Sequence, residues 1–181
     1  MRKVKILLLG FVIASSLTGC ALYHHYGLYY GKVVDAETKE PLEGAAVLAV
    51  YYTQQYGLAG ANDNYLDAQE TVTDKNGEFK IPSLNSFAFR PLQSFEPYVW
   101  FTIFKPVYGC YPKYKGVKPM FLPNGSLPTN QYVVIEQPSV RNASKEERLR
   151  NAACLPSPSV PEKKYLRLQD LLQVEYQSIG Y

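Results

Sequence analysis

Few side chains in this sequence of 181 residues are suited to covalent or metal chemistry. There are three cysteines, Cys20, Cys110 and Cys154, and two histidines, His24 and His25. A zinc peptidase needs histidine ligands inside its folded domain and a Ser-His-Asp triad needs a histidine base, but no histidine follows His25. The 16 acidic residues are numerous enough for a glycosidase pair of carboxylates, yet none lies in a recognisable catalytic motif. We therefore expect a protein that is not an enzyme and uses no cofactor.

The residues up to Cys20 have the pattern of an export and lipidation signal. A basic region at residues 2–5 precedes an apolar run over residues 6–14, which is too short to span a bilayer stably. Residues 17–20 (LTGC) resemble the lipobox of bacterial lipoproteins. The resemblance implies cleavage after Gly19, lipidation of the Cys20 thiol and acylation of its new amino terminus by a fatty acid such as palmitate. An ordinary secretory signal or a buried N-terminal helix is the alternative.

Lipidation of Cys20 implies firm attachment to a membrane, because several acyl chains exceed what stable anchoring requires. In the best-known bacterial sorting scheme, an aspartate after the cysteine retains a lipoprotein at the inner membrane. Ala21 stands there instead, which favours the outer membrane.

The charge of the mature chain is balanced. Three of the 19 Lys and Arg residues precede the cleavage site, which leaves 16 basic and 16 acidic residues. This balance gives no support for a nucleic-acid partner. The expected partners are the membrane and an envelope protein or glycan.

Four segments follow from the pattern along the chain: a signal peptide at 1–19, a lipidated tether at 20–27, a β-sandwich at 28–137 and a helical tail at 138–181. We interpret the histidines of the tether as solvated residues rather than metal ligands. Strands are predicted at residues 28–34, 45–53, 71–73, 78–82, 98–104, 120–122 and 131–136. Such short strands between Gly and Pro turns predict a mainly β, antiparallel sandwich.

Particular positions within the sandwich can be assigned. Residues 45–53 are apolar on both faces, which predicts a strand covered on both sides, and residues 98–104 are the best candidate for a central strand. Residues 54–67 are predicted to be a long surface loop. The predicted core contains Val33, Val47, Phe79, Ile81 and either Trp100 or Phe101.

Residues 74–77 (DKNG) predict a hairpin turn in which Asp74 bonds its own backbone. Their alternating oxygen atoms also match half of a calcium loop, and Asp63, Asn64 and Asp67 could add ligands. The twelfth position of such a loop would be Asn85 rather than the required glutamate. An ordinary turn is the expected structure.

The tail contains two helix signals. Ser144 and Glu147 form a capping box, which predicts a helix to about Ala153. Ser159 can cap a second, amphipathic helix that carries Leu168, Leu171 and Leu172 at helical spacing. We expect this helix to pack on the domain, with a partner-binding helix as the alternative.

If Cys20 carries lipid, Cys110 and Cys154 are the only cysteines left for an intrachain pair. Disulfides persist in exported proteins, so we predict a Cys110–Cys154 disulfide that pins the tail to the sandwich. Two separate thiols, one of them buried as a small apolar side chain, are the alternative.

Tyrosine is unusually frequent, with 16 residues. Tyr52, Tyr56 and Tyr65 lie in or beside the predicted loop, and exposed tyrosines suit glycan or peptide recognition. Tyrosine is also common in strands for purely structural reasons. Ligand binding through these residues is therefore a hypothesis.

Residues 31–35 (GKVVD) and 41–47 (PLEGAAV) resemble the first two strands of the carboxypeptidase regulatory-like domain. Residues 73–79 (TDKNGEF) match the next hairpin of that family, and residues 104–109 are loosely similar to a later strand. The resemblance covers roughly residues 28–111. It implies a transthyretin-like sandwich of seven strands and a non-catalytic structural or protein-interaction module. The long segment at 54–67 departs from the family pattern.

Overall fold

The computed structural model describes residues 23–57, 60–87, 95–119, 121 and 125–181, apart from the side chains of residues 55–57, 61, 87 and 95. Cys20 and the predicted signal peptide lie outside the described residues. So do two of the three residues in the strand predicted at 120–122.

The protein is mainly β, with a helical C-terminal tail, as predicted. The described residues form eight strands: β1 Tyr23–Tyr26, β2 Tyr29–Asp35, β3 Ala46–Gly57, β4 Gly60–Val72, β5 Glu78–Ile81, β6 Leu84–Phe87, β7 Phe95–Phe104 and β8 Tyr132–Gln137. The tail contains α1 Lys145–Ala152 and α2 Leu166–Ser178, with a 3₁₀ turn at Glu162–Lys164 between them. There is one strand more than the seven expected. None of the described helices is long and apolar enough to cross a membrane.

The strands form a central sheet and two smaller ones. The central sheet has the order β4-β3-β7 and is antiparallel. It faces a second sheet of order β5-β2-β8, in which β2 and β8 run parallel, so the sandwich is not wholly antiparallel. Strand β7 was predicted to be central but lies at the edge, and β3 is the middle strand. The third sheet pairs β6 with β1, although β1 lies inside the segment predicted to be a tether.

Strand β3 is covered on both sides, as its two apolar faces predicted. Val47, Ala49 and Tyr51 belong to the core between the two larger sheets. Leu48 and Val50 belong to a second core beneath the tail. The predicted core residues Val33, Val47, Phe79, Ile81 and Phe101 are all buried in the first core. The molecule therefore has three layers: second sheet, central sheet and helical tail.

The prediction of a surface loop over residues 54–67 is wrong. Strand β3 continues to Gly57 and β4 begins at Gly60, so both sides of this segment pair as a long hairpin. Asn62 and Asp63 are exposed. The alternation of apolar and polar residues that normally marks a half-buried strand is therefore missing here. For this reason the sequence of the segment resembles that of a loop.

The turn at residues 74–77 was correctly located but joins strands of different sheets. Strand β4 pairs with β3 and β5 pairs with β2, so the two strands beside the turn do not form the predicted hairpin. Asp74 Oδ1 accepts hydrogen bonds from the backbone N–H of Asn76 and of Glu78, each 2.8 Å long. Gly77 has a φ of 76°, which only glycine adopts without strain.

Helix α1 begins as predicted, because the Glu147 N–H donates to Ser144 Oγ at 3.2 Å. Helix α2 begins at Leu166, well after the predicted cap at Ser159. Its first N–H groups are capped from outside the tail: the Glu70 carboxylate on β4 accepts from Arg167 N at 2.9 Å and Leu168 N at 2.8 Å. A cap supplied from another element leaves no signal next to the helix in the sequence.

Buried polar groups fix the tail to the sandwich. The fully buried Glu175 of α2 accepts from Arg148 Nε at 2.8 Å and from the Val107 N–H at 2.9 Å. Asn151 of α1 accepts from the Cys110 N–H at 2.7 Å and donates to Tyr108 O at 2.8 Å. The tail is therefore part of the folded domain, and the expected packing of its amphipathic helix is confirmed.

Candidate functional site

The tail covers only part of the outer face of the central sheet, the face turned away from the second sheet. Past the tail, two rows of side chains cross strands β4, β3 and β7. The first row is Tyr65, Tyr52 and Tyr98, and the second is Asp63, Gln54 and Glu96. Residues opposite one another in paired strands share a face, as do residues two apart along one strand. The two rows therefore lie side by side on one surface, which we call the platform.

The tyrosine row is held by ring contacts between neighbouring strands. Tyr52 stacks on Tyr98 with ring centroids 5.3 Å apart and planes at 18°. On the other side, Tyr65 meets Tyr52 edge to face at 6.4 Å. These are the geometries that aromatic pairs prefer, and they fix the three rings relative to one another.

The polar row is ordered by hydrogen bonds. Gln54 Nε2 donates to Asp63 Oδ1 at 3.1 Å, and the Tyr98 hydroxyl also bonds the Asp63 carboxylate. Burial, followed by this contact with Asp63, raises the pKa of Tyr98 well above its usual value of 10.0. The phenol therefore stays protonated at physiological pH and keeps its donor role.

A cleft of about 1040 Å³ adjoins the platform. Its described lining includes five of the six platform residues and His25 and Tyr26 of β1. It also includes residues that precede β8 and residues of the tail: Ser126, Leu127, Thr129, Asn130, Leu155, Pro156, Ser157 and Ser159. Ligand pockets usually have volumes of about 300–1,000 Å³ and contain a few oriented polar groups among apolar ones. The cleft is therefore large enough for a ligand of several rings or residues.

The tail forms one wall of the cleft. The Tyr52 hydroxyl makes hydrogen bonds with Ser157 and Ser159, and burial raises the pKa of this tyrosine. Trp100, two residues after Tyr98 on β7, is half-buried in the same wall. The tail thus forms part of the cleft lining and also covers the second core.

Another wall of the cleft is formed by residues of β1 and the start of β2. Tyr26 donates to the Tyr52 carbonyl at 3.3 Å, and Tyr29 packs edge to face on Phe101 at 4.8 Å. Burial raises the pKa of both Tyr26 and Tyr29 to about 12. Their hydroxyls stay neutral, so this wall has no negative charge from tyrosine.

Of the three tyrosines predicted to bind a ligand, Tyr52 and Tyr65 differ in their exposure and in their relation to the cleft lining. Tyr52 is buried in the platform and lines the cleft, with 7% of its surface exposed. Tyr65 is half-buried against it. Tyr56 pairs with Ala61 through its backbone, but its side chain lies outside the described atoms. The sequence reasoning missed Tyr98 and Trp100, which could have been found from their spacing of two in a strand.

The histidines belong to the third sheet rather than to a tether. His24 is buried, and His25 Nδ1 bonds Asn85 Oδ1 at 2.7 Å. Asn85 is the residue that would occupy the twelfth position of the calcium loop considered from the sequence, and its side-chain oxygen is bonded to His25 instead. Within the described residues, no group of three or more His, Cys, Asp or Glu side chains is arranged to hold a metal ion.

Cys110 and Cys154 lie side by side in the core beneath the tail. Both are free thiols with 1% of their surface exposed, and the two side chains are in hydrogen-bonding contact. Burial, and then the neighbouring Cys154, raise the pKa of the Cys110 thiol well above its usual value. The disulfide is not formed in the structure and stays a prediction. Glu175 and Asn151 bond the tail to the sandwich independently of a disulfide.

No protein-family model matches the chain, and comparisons with curated proteins and with solved structures returned no significant match.

Proposed function

We propose that the protein is a lipid-anchored protein of the cell envelope, with a non-catalytic binding module as its folded domain. The observation that carries this proposal is the platform with its adjoining cleft. Ordered aromatic and polar side chains beside a large cavity are typical of a ligand site.

The proposed anchor would keep this site close to the membrane. The lipobox-like sequence puts the lipid on Cys20, and His25 lines the cleft five residues later. An extended chain spans at most about 3.6 Å per residue, so the Cα atom of His25 lies within about 18 Å of that of the anchored cysteine. The outer membrane is the proposed location, because Ala21 replaces the retention aspartate.

Glycoside hydrolysis is the second candidate, favoured by the two carboxylates in the cleft. Asp63 and Glu96 flank Gln54 on opposite sides, so their Cα atoms are two strand spacings, or about 10 Å, apart. Inverting glycosidases have carboxyl groups about 6.5–9.5 Å apart. In the platform, however, Asp63 accepts hydrogen bonds from Gln54 and Tyr98 and so orders its neighbours. We therefore favour binding over hydrolysis.

Membrane fractionation tests the proposed anchor. The wild-type protein should sediment with outer-membrane vesicles, whereas Cys20→Ser should lose this association because the acylated thiol is gone. Leu166→Ala is the control, since it changes an exposed side chain of α2 and should stay with the membrane. Equal membrane association of wild type and Cys20→Ser would contradict the proposal.

A further inference from the structure

The platform offers the two kinds of contact that a sugar ring needs. A sugar has apolar C–H faces and a rim of hydroxyl groups that both donate and accept hydrogen bonds. The half-buried Tyr98 and Trp100 provide aromatic surface beside the cleft, and the buried Tyr52 holds the Tyr98 ring from below by stacking. The adjacent row alternates carboxylate, amide and carboxylate, which together accept and donate.

The charge of the cleft argues against an anionic ligand. Asp63 and Glu96 are both in its lining, and Lys113 is the single lysine or arginine among the described lining residues. Phosphate or nucleic-acid backbones would meet an excess of negative charge. A neutral ligand rich in hydroxyl groups fits this balance.

The edge of β7 is poorly suited to a peptide that adds as an extra strand. Its Val99 carbonyl accepts a hydrogen bond from the Ser126 hydroxyl. Further along, Ile103 exchanges backbone hydrogen bonds with Tyr111, at 3.2 and 3.0 Å. Strand addition needs a row of unpaired backbone groups, and these partners interrupt it. Recognition in the cleft must therefore depend on side chains.

We propose that the platform and its cleft bind a neutral oligosaccharide, whose rings pack against Tyr98 and Trp100 and whose hydroxyls bond Asp63, Gln54 and Glu96. This inference rests on the proposed binding function and names its ligand class. The cleft volume of about 1040 Å³ leaves room for several linked sugar rings.

Trp100 makes the proposal directly testable, because it is the only tryptophan in the chain. The full lipidated protein, held in a detergent without a sugar headgroup, is titrated with chitotetraose, cellotetraose and maltotetraose. Tryptophan fluorescence and saturation-transfer NMR of the sugar protons are recorded. At least one oligosaccharide should give a saturable response by both readouts.

Two variants locate the response. Asp63→Asn changes an exposed side chain and should weaken binding about tenfold, since a hydrogen bond to a carboxylate is stronger than one to a neutral amide. Tyr132→Ala removes an exposed tyrosine from β8 of the second sheet and should bind like wild type. Equal affinities for Asp63→Asn and wild type would overturn the assignment to the platform.

The same titration with tetralysine and tetra-alanine separates this inference from the proposed function. A saturable response to a peptide alone would overturn the oligosaccharide and keep the binding module. No response to sugar or peptide would overturn the oligosaccharide and remove the support for a ligand site in the cleft.

Discussion

At the scale of single residues, Cys110 and Cys154 are the two thiols of the described structure, and they lie next to each other. Their side chains touch, and both are shielded from solvent. A thiol reacts as its thiolate, and burial raises the pKa of Cys110 in the folded state. The folded pair should therefore resist oxidation, so that a disulfide would form most readily while the exported chain is folding.

We predict that Cys110 and Cys154 are linked in protein purified from the envelope. Mass spectrometry after alkylation without reduction should find both sulfurs blocked, and Cys154→Ser should leave Cys110 free to alkylate once the protein is unfolded. Closing a loop of about 45 residues stabilises a fold by about 4 kcal/mol in the chain-entropy model. Two alkylated thiols in unfolded wild-type protein would show that the pair is reduced.

At the scale of elements, the tail acts as a third layer rather than an appendage. Leu168 and Leu172 of α2 are buried with Leu48 and Val50 of β3. Without the tail, the outer face of β3 would expose a large apolar area to water. The stability of the sandwich therefore depends on α2.

This dependence can be measured with two leucines of the same helix. Leu168→Ala should lower the free energy of unfolding by about 2–5 kcal/mol, because Leu168 is fully buried. Leu166→Ala is the control, since Leu166 is 55% exposed and its loss should change stability by less than about 0.5 kcal/mol. Urea unfolding gives both values. If the two variants lost similar amounts of stability, burial of the inner face of α2 would not contribute to the stability of the fold.

The sequence was informative wherever a signal is local. Ser144 and Glu147 located α1, and the two apolar faces of residues 45–53 correctly predicted a strand between two layers. The start of α2 was misplaced because its cap, Glu70, comes from a distant strand. The turn after Thr73 was located correctly, but turn chemistry alone does not determine whether the flanking strands pair with each other.

The candidate site was only partly visible for the same reason. Tyrosine frequency pointed to Tyr52 and Tyr65, but the platform depends on the register between β3, β4 and β7. Register is set by long-range pairing, so a single sequence does not indicate that Asp63 and Glu96 lie on either side of Gln54.

At the scale of the whole molecule, buried tyrosines make the fold sensitive to alkali. Burial raises the pKa of Tyr26, Tyr29 and Tyr111 to about 12, from the usual 10.0. The folded state therefore keeps protons that the unfolded chain releases near pH 10. This contribution to stability is complete below pH 10 and is lost as the pH rises toward 12.

We predict that the urea midpoint is constant from about pH 7 to 9 and falls steeply between about pH 10 and 12. The urea midpoint of Tyr29→Phe should fall less steeply with pH than that of wild type, because the variant has one buried phenol fewer to ionise. A midpoint that stays constant up to about pH 12 would mean that these phenols are not protected by the fold.

The intact mass of the protein extracted from membranes tests the proposed lipid anchor most directly. We predict a chain that begins at Cys20 and carries the added mass of a diacylglyceryl group and an amide-linked fatty acid. Tandem fragmentation should locate the whole addition on that first residue. A chain that retains residues 1–19, or that begins elsewhere with an unmodified Cys20, would contradict the assignment of this protein as a lipid-anchored module of the envelope.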